Sequence, residues 1–367
     1  MSAAAPAKSV SPADQTARQL FSIGQDGIDD PLLDSAAVLR LLRNRVPGLA
    51  TRRVTHCAVW PLKCRFRSRR VLAIDLTVAG PHLDQTTTLH WIAKKHREGA
   101  GAVAEFRALT ELIRAGFGTA GEFRVPRPIS LVPDWRLFVE ERAPGSALRN
   151  FLGHPGSSRV RRAAQWLRQL HSLPPARQLN CPYDAERVAL DVFSENLRSR
   201  QPELARYLDR QGARLRDQMA DWRAIPATRV HGDFHPENIY LSDEAVTVID
   251  FDRFAMGDPA KDLGSFITQV RAMSFFSGLP ARSAHGKISA FLEEYVGEIP
   301  TAEARPLRDR VEAYSALFAL EVAYYTLCVL RVSDPDFARK WFQYGIALQH
   351  GTARAPGGER TQEQTVE

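Results

Sequence analysis

The spacing of hydrophobic and polar positions changes character once along the chain. In the first third, apolar residues partly alternate with polar ones in three segments: RRVTHCAVWPL (52–62), RRVLAIDLTVAG (69–80) and TTTLHWIAKKH (86–96). Alternation rich in Val, Ile, Leu, Thr and Trp predicts strands. Ahead of them, Asp34 is a natural N-cap for a short helix through AAVLRLLRN. After Gly99 and Gly101 the period becomes helical in AVAEFRALTELIRAGF, which stops near Gly116. VPRPISLVPDWRLFVEER (125–142) then reads as two more strands around a Pro-Asp turn.

From Pro144 onward helical spacing dominates. In SSRVRRAAQWLRQLHSL, Val160, Ala164, Leu167 and Leu170 share one face, with Ser157 or Ser158 as the cap and Pro174 and Pro175 beyond the end. Residues 191–222 give further helix. A hairpin interrupts at NIYLSDEAVTVIDF, turning at Ser242 to Ala245, and residues 262–350 return to helix. Strands plus one helix, then helices plus one hairpin, describe an α+β protein with a small antiparallel-sheet N-lobe and a larger helical C-lobe. The expected division is a disordered segment at 1–30, an N-lobe at 31–142, a C-lobe at 143–351 and a disordered tail at 352–367.

Composition narrows the class. A chain of 367 residues suits one two-lobed enzyme. The net charge of +7 would suit a polyanionic partner, but no usual nucleic-acid-binding motif is present, so the excess Arg is read as solvated and no nucleic-acid partner is expected. The four cysteines form no CxxC pair, which argues against zinc and for reduced thiols. No apolar run approaches the roughly 20 residues that span a bilayer, and the N-terminus lacks the apolar core of a signal peptide. The expectation is a cytoplasmic protein without a membrane span, of unspecified oligomeric state.

One block carries the chemistry: His231-Gly-Asp233-Phe-His-Pro-Glu-Asn238, followed after twelve residues by Asp250-Phe-Asp. Phosphoryl transfer is mostly positioning and charge stabilisation, and it needs a base for the acceptor hydroxyl and hard oxygen ligands for magnesium. A loop carrying Asp233 and Asn238, with a hairpin returning Asp250, meets those needs. Each residue alone would read as an Asx turn or cap; the ordered set does not.

The spacing H-x-D-x-x-x-x-N with a later D-F matches the kinase catalytic loop. Gly after His, the HPEN ending and GDPAKDLGSF (257–266) make the chain resemble the aminoglycoside phosphotransferase and choline kinase family over most of residues 90 to 350. That resemblance implies a two-lobed protein-kinase-like fold, ATP (or GTP) and Mg2+ as cofactors, Asp233 as base, Asn238 and Asp250 as metal ligands, and His231 and Asp262 as structural support. It also implies a strand Lys for the nucleotide phosphates and a helix Glu to hold it. Lys94 is favoured over its neighbour Lys95, and Glu105 over Glu111, because Glu105 borders the apolar face of its helix while Glu111 reads as solvated. Glu140 and Glu141, in Phe138–Glu141, would form the hinge that offers backbone groups to the base.

Two features are less regular. The turn between the first two strands, residues 63–70, lacks the Gly-rich phosphate loop and carries five basic residues. That departure keeps open a catalytically weak nucleotide-binding protein as the alternative to a small-molecule kinase. The acceptor, a small molecule with a hydroxyl, is a sugar, amino alcohol or aminoglycoside-like compound. Residues 271–340 hold nine basic and nine acidic residues, a neutral balance that argues mildly against a strongly cationic one.

Overall fold

The computed structural model describes residues 32–349, apart from 66–68, 81–84, 177–178, 180–182, 221, 223–224, 298, 333 and 335. The expected disordered segments at 1–30 and 352–367 lie outside the described residues, as does the middle of the basic turn at 66–68. The chain separates into two compact units, one of residues 1–103 and 128–142, the other of residues 104–127 and 143–367. Residues 104–127 therefore group with the second unit.

The first unit is built on a five-stranded antiparallel sheet. Its elements are α1 (Ser35–Arg45), β1 (Val54–Arg65), β2 (Arg69–Ala79), β3 (Thr86–Lys95), β5 (Pro128–Val132) and β6 (Leu137–Glu141), in strand order β1-β2-β3-β6-β5. Asp34 caps α1, its carboxylate accepting from Ala36 N at 2.8 Å. Alternation divides the sheet into two faces. Leu72, Ile74, Leu76, Trp91, Ala93, Leu137 and Val139 share a buried cluster with Val38 and Leu42 of α1. Ile92 stands opposite Ala73 and Glu140 in the register, so Asp75, His90, Lys94, Phe138 and Glu140 lie on the other face.

The helix α2 (Gly99–Arg114) starts among residues of the first unit and continues into the second. The second unit adds β4 (Phe123–Arg124), β7 (Ser146–Ala147), α3 (Ser158–His171), α4 (Tyr183–Arg200), α5 (Ala205–Met219) and β8 (Thr228–Val230). The hairpin β9 (Ile239–Leu241) and β10 (Val246–Val248) follows, then β11 (Ala255–Gly257). Four helices complete it: α6 (Ala260–Phe276), α7 (Ala281–Val296), α8 (Thr301–Tyr324) and α9 (Phe337–Gln349). Ser157 occupies the N-cap of α3 but makes no side-chain capping bond, contrary to the expectation from sequence. The hairpin turns at Ser242 to Ala245 as expected, with Ser242 N donating to Ala245 O at 3.0 Å. On its two outer sides it gains β4 and β7, giving the order β4-β10-β9-β7.

The core of this unit lies beneath the loop after β8. Phe234 is fully buried and packs near Trp166, Phe266 and Phe291, the last two stacked at 3.8 Å. Among the described residues no helix is long and apolar enough to cross a membrane.

Candidate active site

The loop from His231 to Asn238 is held on every side by its own residues. Gly232 has φ +82°, and a Cβ there would stand 2.4 Å from the carbonyl oxygen of Arg253. Only glycine meets both conditions without strain. On the far side of Asp233, Phe234 plugs into the core. Asp233 thus stands between a residue with no side chain and one that is anchored.

His231 joins the two acidic positions of the site. Its Nδ1 accepts from Asp233 N at 3.2 Å, which leaves Nε2–H to donate to Ile249 O at 3.0 Å. One ring therefore spans from the backbone of Asp233 to the residue before Asp250. A second tie runs from Ile249 N to Asn238 O at 2.9 Å. Asn238 Nδ2 donates to Asp233 O at 3.1 Å, which turns Oδ1 away as the remaining acceptor. The hairpin and these bonds bring Asp233, Asn238 and Asp250 together within one unit.

Asp250 itself has φ +74°, a left-handed conformation that a non-glycine residue adopts at a cost of about 1–3 kcal/mol. It turns the chain sharply at the end of the hairpin. Such strain persists where the surroundings over-determine it, and the ties through His231 and Asn238 do so here.

Below the loop, Asp262 is fully buried. Its Oδ2 accepts from His231 N at 2.7 Å and its Oδ1 from Gly232 N at 2.8 Å. His171 Nε2 lies 3.1 Å from the same Oδ2. Burial alone would raise this carboxyl; the hydrogen bonds from His171 and the His231 amide oppose it, and the carboxyl is held below the usual carboxylate range.

Burial also works to raise Asp233, but His235, with Nε2 3.7 Å from Oδ2, together with Arg253 and His231, holds that carboxyl low as well. Asp233 is therefore a carboxylate at neutral pH, the form that accepts a proton. Arg253 and Glu321 are the two charged neighbours that the sequence reading passed over. Burial raises the Glu321 carboxyl, with Arg253 opposing and Asp233 adding to the rise. Arg253 follows the Asp-Phe-Asp run directly and could have been noticed there. Glu321 sits inside a long helix with no local signal.

In the first unit, Lys94 and Glu140 form a buried ion pair, Nζ to Oε1 at 2.7 Å, with side chains 4% and 2% exposed. Sequence reading gave Glu140 a backbone role only; its carboxylate is the residue's evident contribution. Phe138 through Glu140 have neighbours β3 and β5 on both sides, whereas Glu141 is paired to β3 alone. Lys95 lies on the face of Trp91 and Ala93, away from Glu140. Glu105, fully buried, belongs to the second unit. Glu111, expected to be solvated, instead pairs with Arg229 of β8 at 2.8 Å. The side chains of the basic turn at 63–69 lie outside the described residues.

Among the described residues no group of three or more His, Cys, Asp or Glu is arranged to hold a metal ion. The donor set present is smaller: one carboxylate, Asp250, and the Asn238 Oδ1, with Asp233 close by. Hard oxygen donors in this number fit Mg2+, which is held by one or two carboxylates together with substrate phosphates.

Comparison with known proteins bears on the family and the fold. Residues 82–306, more than half of the chain, match the APH phosphotransferase enzyme family. Among curated proteins none matches in sequence. Choline kinase from Cryptosporidium parvum Iowa II is similar in structure, with TM-score 0.58 at 10% identity, covering 87% of this chain and 96% of that one. A choline/ethanolamine kinase family protein from Mesorhizobium loti gives 0.52 at 17%, covering 86% and 95%. The amicoumacin kinase hAmiN gives 0.55 at 13%, covering 92% and 96%. At these identities the likeness shows the fold, which is the protein-kinase-like α+β fold.

Proposed function

The chain belongs to the APH phosphotransferase enzyme family, and from that premise we propose that it transfers the γ-phosphate of ATP to a hydroxyl of a small molecule, with Asp233 as base. The observation that carries this reading is the tie of Asp233, Asn238 and Asp250 through His231 and the Asn238–Ile249 bond. It supports an ionised carboxylate held beside two oxygen donors, the arrangement that phosphoryl transfer requires.

In this reading Asp233 takes the proton of the acceptor hydroxyl as that oxygen bonds to the γ-phosphorus, while the bond from the γ-phosphorus to the β–γ bridging oxygen breaks and ADP leaves. Asn238 Oδ1 and the Asp250 carboxylate would hold magnesium, which would supply charge neutralisation at the phosphate oxygens. Lys94, paired with Glu140, would meet the nucleotide phosphates, Glu105 is the helix Glu that the family pattern names, and the hinge backbone at Glu141 would meet the base. His231 and Asp262 keep the loop in shape. Magnesium is the reading favoured by the oxygen-only donors. Solved relatives are described with ADP and hygromycin B, with ADP and spectinomycin, and with AMP-PNP, Ca2+ and amicoumacin. These support a nucleotide and a hydroxyl-bearing acceptor here.

The test is a phosphate-transfer screen. Protein, ATP and Mg2+ are incubated with choline, ethanolamine, sugars and aminoglycosides, and phosphorylated product is followed by 31P NMR. Product with at least one acceptor, absent without Mg2+, is the expected result. ATP binding with neither product nor hydrolysis would leave only a nucleotide-binding protein.

A further inference from the structure

A buried polar chain in the second unit ends on the two residues before Asp233. Four groups run in sequence from the packing of α3 against α7 to the catalytic loop. Tyr295 on α7 lies with its hydroxyl 2.7 Å from His171 Nδ1, and the rings meet edge to face at 5.7 Å. His171, the last residue of α3, lies with Nε2 3.1 Å from Asp262 Oδ2. That oxygen and its twin accept the amides of His231 and Gly232, the two residues before Asp233. Tyr295, His171, Asp262 and His231 are all buried.

The direction of the protons follows from the chemistry. Asp262 is a carboxylate with acceptors only, so His171 Nε2 must be the donor towards it. Tyr295 keeps its proton, because burial and the nearby charges of Asp262 and Asp258 push its hydroxyl far up. An imidazole that carries Nε2–H alone has a bare Nδ1, which accepts from that hydroxyl. Every donor in the chain points towards one carboxylate, and that carboxylate aims two successive amides.

From this geometry we infer that His171 is a positioning residue for phosphoryl transfer, orienting through Asp262 the backbone that carries Asp233, with Tyr295 fixing its tautomer. Asp262 has two oxygens and three donors. Without His171, Oδ2 keeps only the His231 amide and the carboxylate is free to rotate about its Cβ–Cγ bond. The amide of Gly232 then shifts, and with it the φ +82° turn that presents Asp233. A small misplacement of a base costs rate, whereas nucleotide binding depends on other residues. The inference rests on the reading of Asp233 as base.

The test uses the full chain and Mg-ATP alone, with its acceptor-independent hydrolysis as the rate. His171→Leu should lower kcat by ~10- to 100-fold while ATP affinity and KM stay near those of the parent. His171→Gln, whose amide N–H reaches the place of Nε2–H, should recover much of the loss. Tyr295→Phe removes one hydroxyl from an otherwise intact core and should give a smaller fall. NMR of the imidazole nitrogens in the parent protein, which needs no turnover, should show Nε2 protonated and Nδ1 bare. A folded His171→Leu or Tyr295→Phe with parental kcat and only a lower Tm would overturn the positioning role, and so would an Nδ1–H tautomer. Asp233→Asn, run in parallel, separates the two readings. Parental turnover there overturns the base and with it the positioning of that base; a dead Asp233→Asn beside a normal His171→Leu overturns the positioning alone.

Discussion

At the scale of single residues, the site is a set of side chains with different duties, and substitution should separate them. Asp233 is held ionised by His235, Arg253 and His231 against its burial. In the proposed role of proton acceptor it would not hold the nucleotide. Asp233→Asn should therefore lower turnover by about 10²–10⁴-fold with ATP affinity intact. Steady-state kinetics and calorimetry on the same preparation check this, and a variant with near-parental turnover removes Asp233 from the role. Asp250 has the opposite signature. Asp250→Ala should leave weak ATP binding that no longer responds to Mg2+; a calorimetric titration that still strengthens with Mg2+ would take Asp250 out of the metal site. The same change also adds backbone strain, since Ala tolerates φ +74° less well than Asp.

Gly232 is a third case, in which the backbone is the function. An Ala at φ +82° is strained, and its Cβ would meet the Arg253 carbonyl oxygen at 2.4 Å, well inside contact. Either the loop or the Arg253 segment must move. Gly232→Ala should cost about 1–3 kcal/mol of stability from the dihedral alone, and more from the clash. Chemical denaturation measures it; a loss below about 0.5 kcal/mol would mean that the loop relaxes freely.

At the scale of elements, the sheet of the first unit explains why two charges are buried side by side. The register puts Ile92 opposite Glu140, so Lys94 and Glu140 are diagonal neighbours on one face of β3 and β6. Glu140→Gln and Lys94→Met should each reduce stability, and the double variant should lose less than their sum. A coupling of about 0.5–3 kcal/mol from a double-mutant cycle is expected. Strict additivity would show that the 2.7 Å pair contributes no mutual stabilisation. This pair also marks the limit of what sequence could show. Strands β1, β2, β3, β5 and β6 were legible because each carries several turns of a period-two pattern or a turn signal. The strands β4, β7, β8 and β11 have two or three residues each, too few for any period, and they exist because β9 and β10 or the loop after Asp250 offer them an edge. The chemical block 231–250 was legible because its residues are close in sequence. The partners His171, Tyr295, Arg253, Glu321 and the Glu140 carboxylate come from elements that only packing brings near.

At the scale of the whole molecule, stability should carry the mark of Asp262. Its folded value lies below that of an unfolded Asp, about 3.9. A depressed carboxyl stabilises the fold fully above the unfolded value and loses that contribution as pH falls towards the folded one. The protein should therefore weaken steeply below about pH 4. Asp262→Asn should be less stable at neutral pH and show a flatter acid limb, read from unfolding midpoints between neutral pH and acid. Parallel acid limbs in the two proteins would show that other carboxylates govern acid unfolding.

The interleaving of the two units in sequence has a further outcome during synthesis. β6 is flanked by β3 and β5, yet both β5 and β6 follow residues 104–127, which cluster with the other unit. A nascent chain that has released only residues up to 127 carries β1, β2 and β3 with β3 as an open edge. The strand that covers the β3 edge arrives only with residues 137–141, and the Lys94 side chain waits until then for Glu140. At ribosomal speeds of about 5–20 residues per second that interval lasts a second or more. During it the ribosome holds a hydrophobic, three-stranded template, and this is the stage at which a chaperone that recognises strand edges would have most to protect.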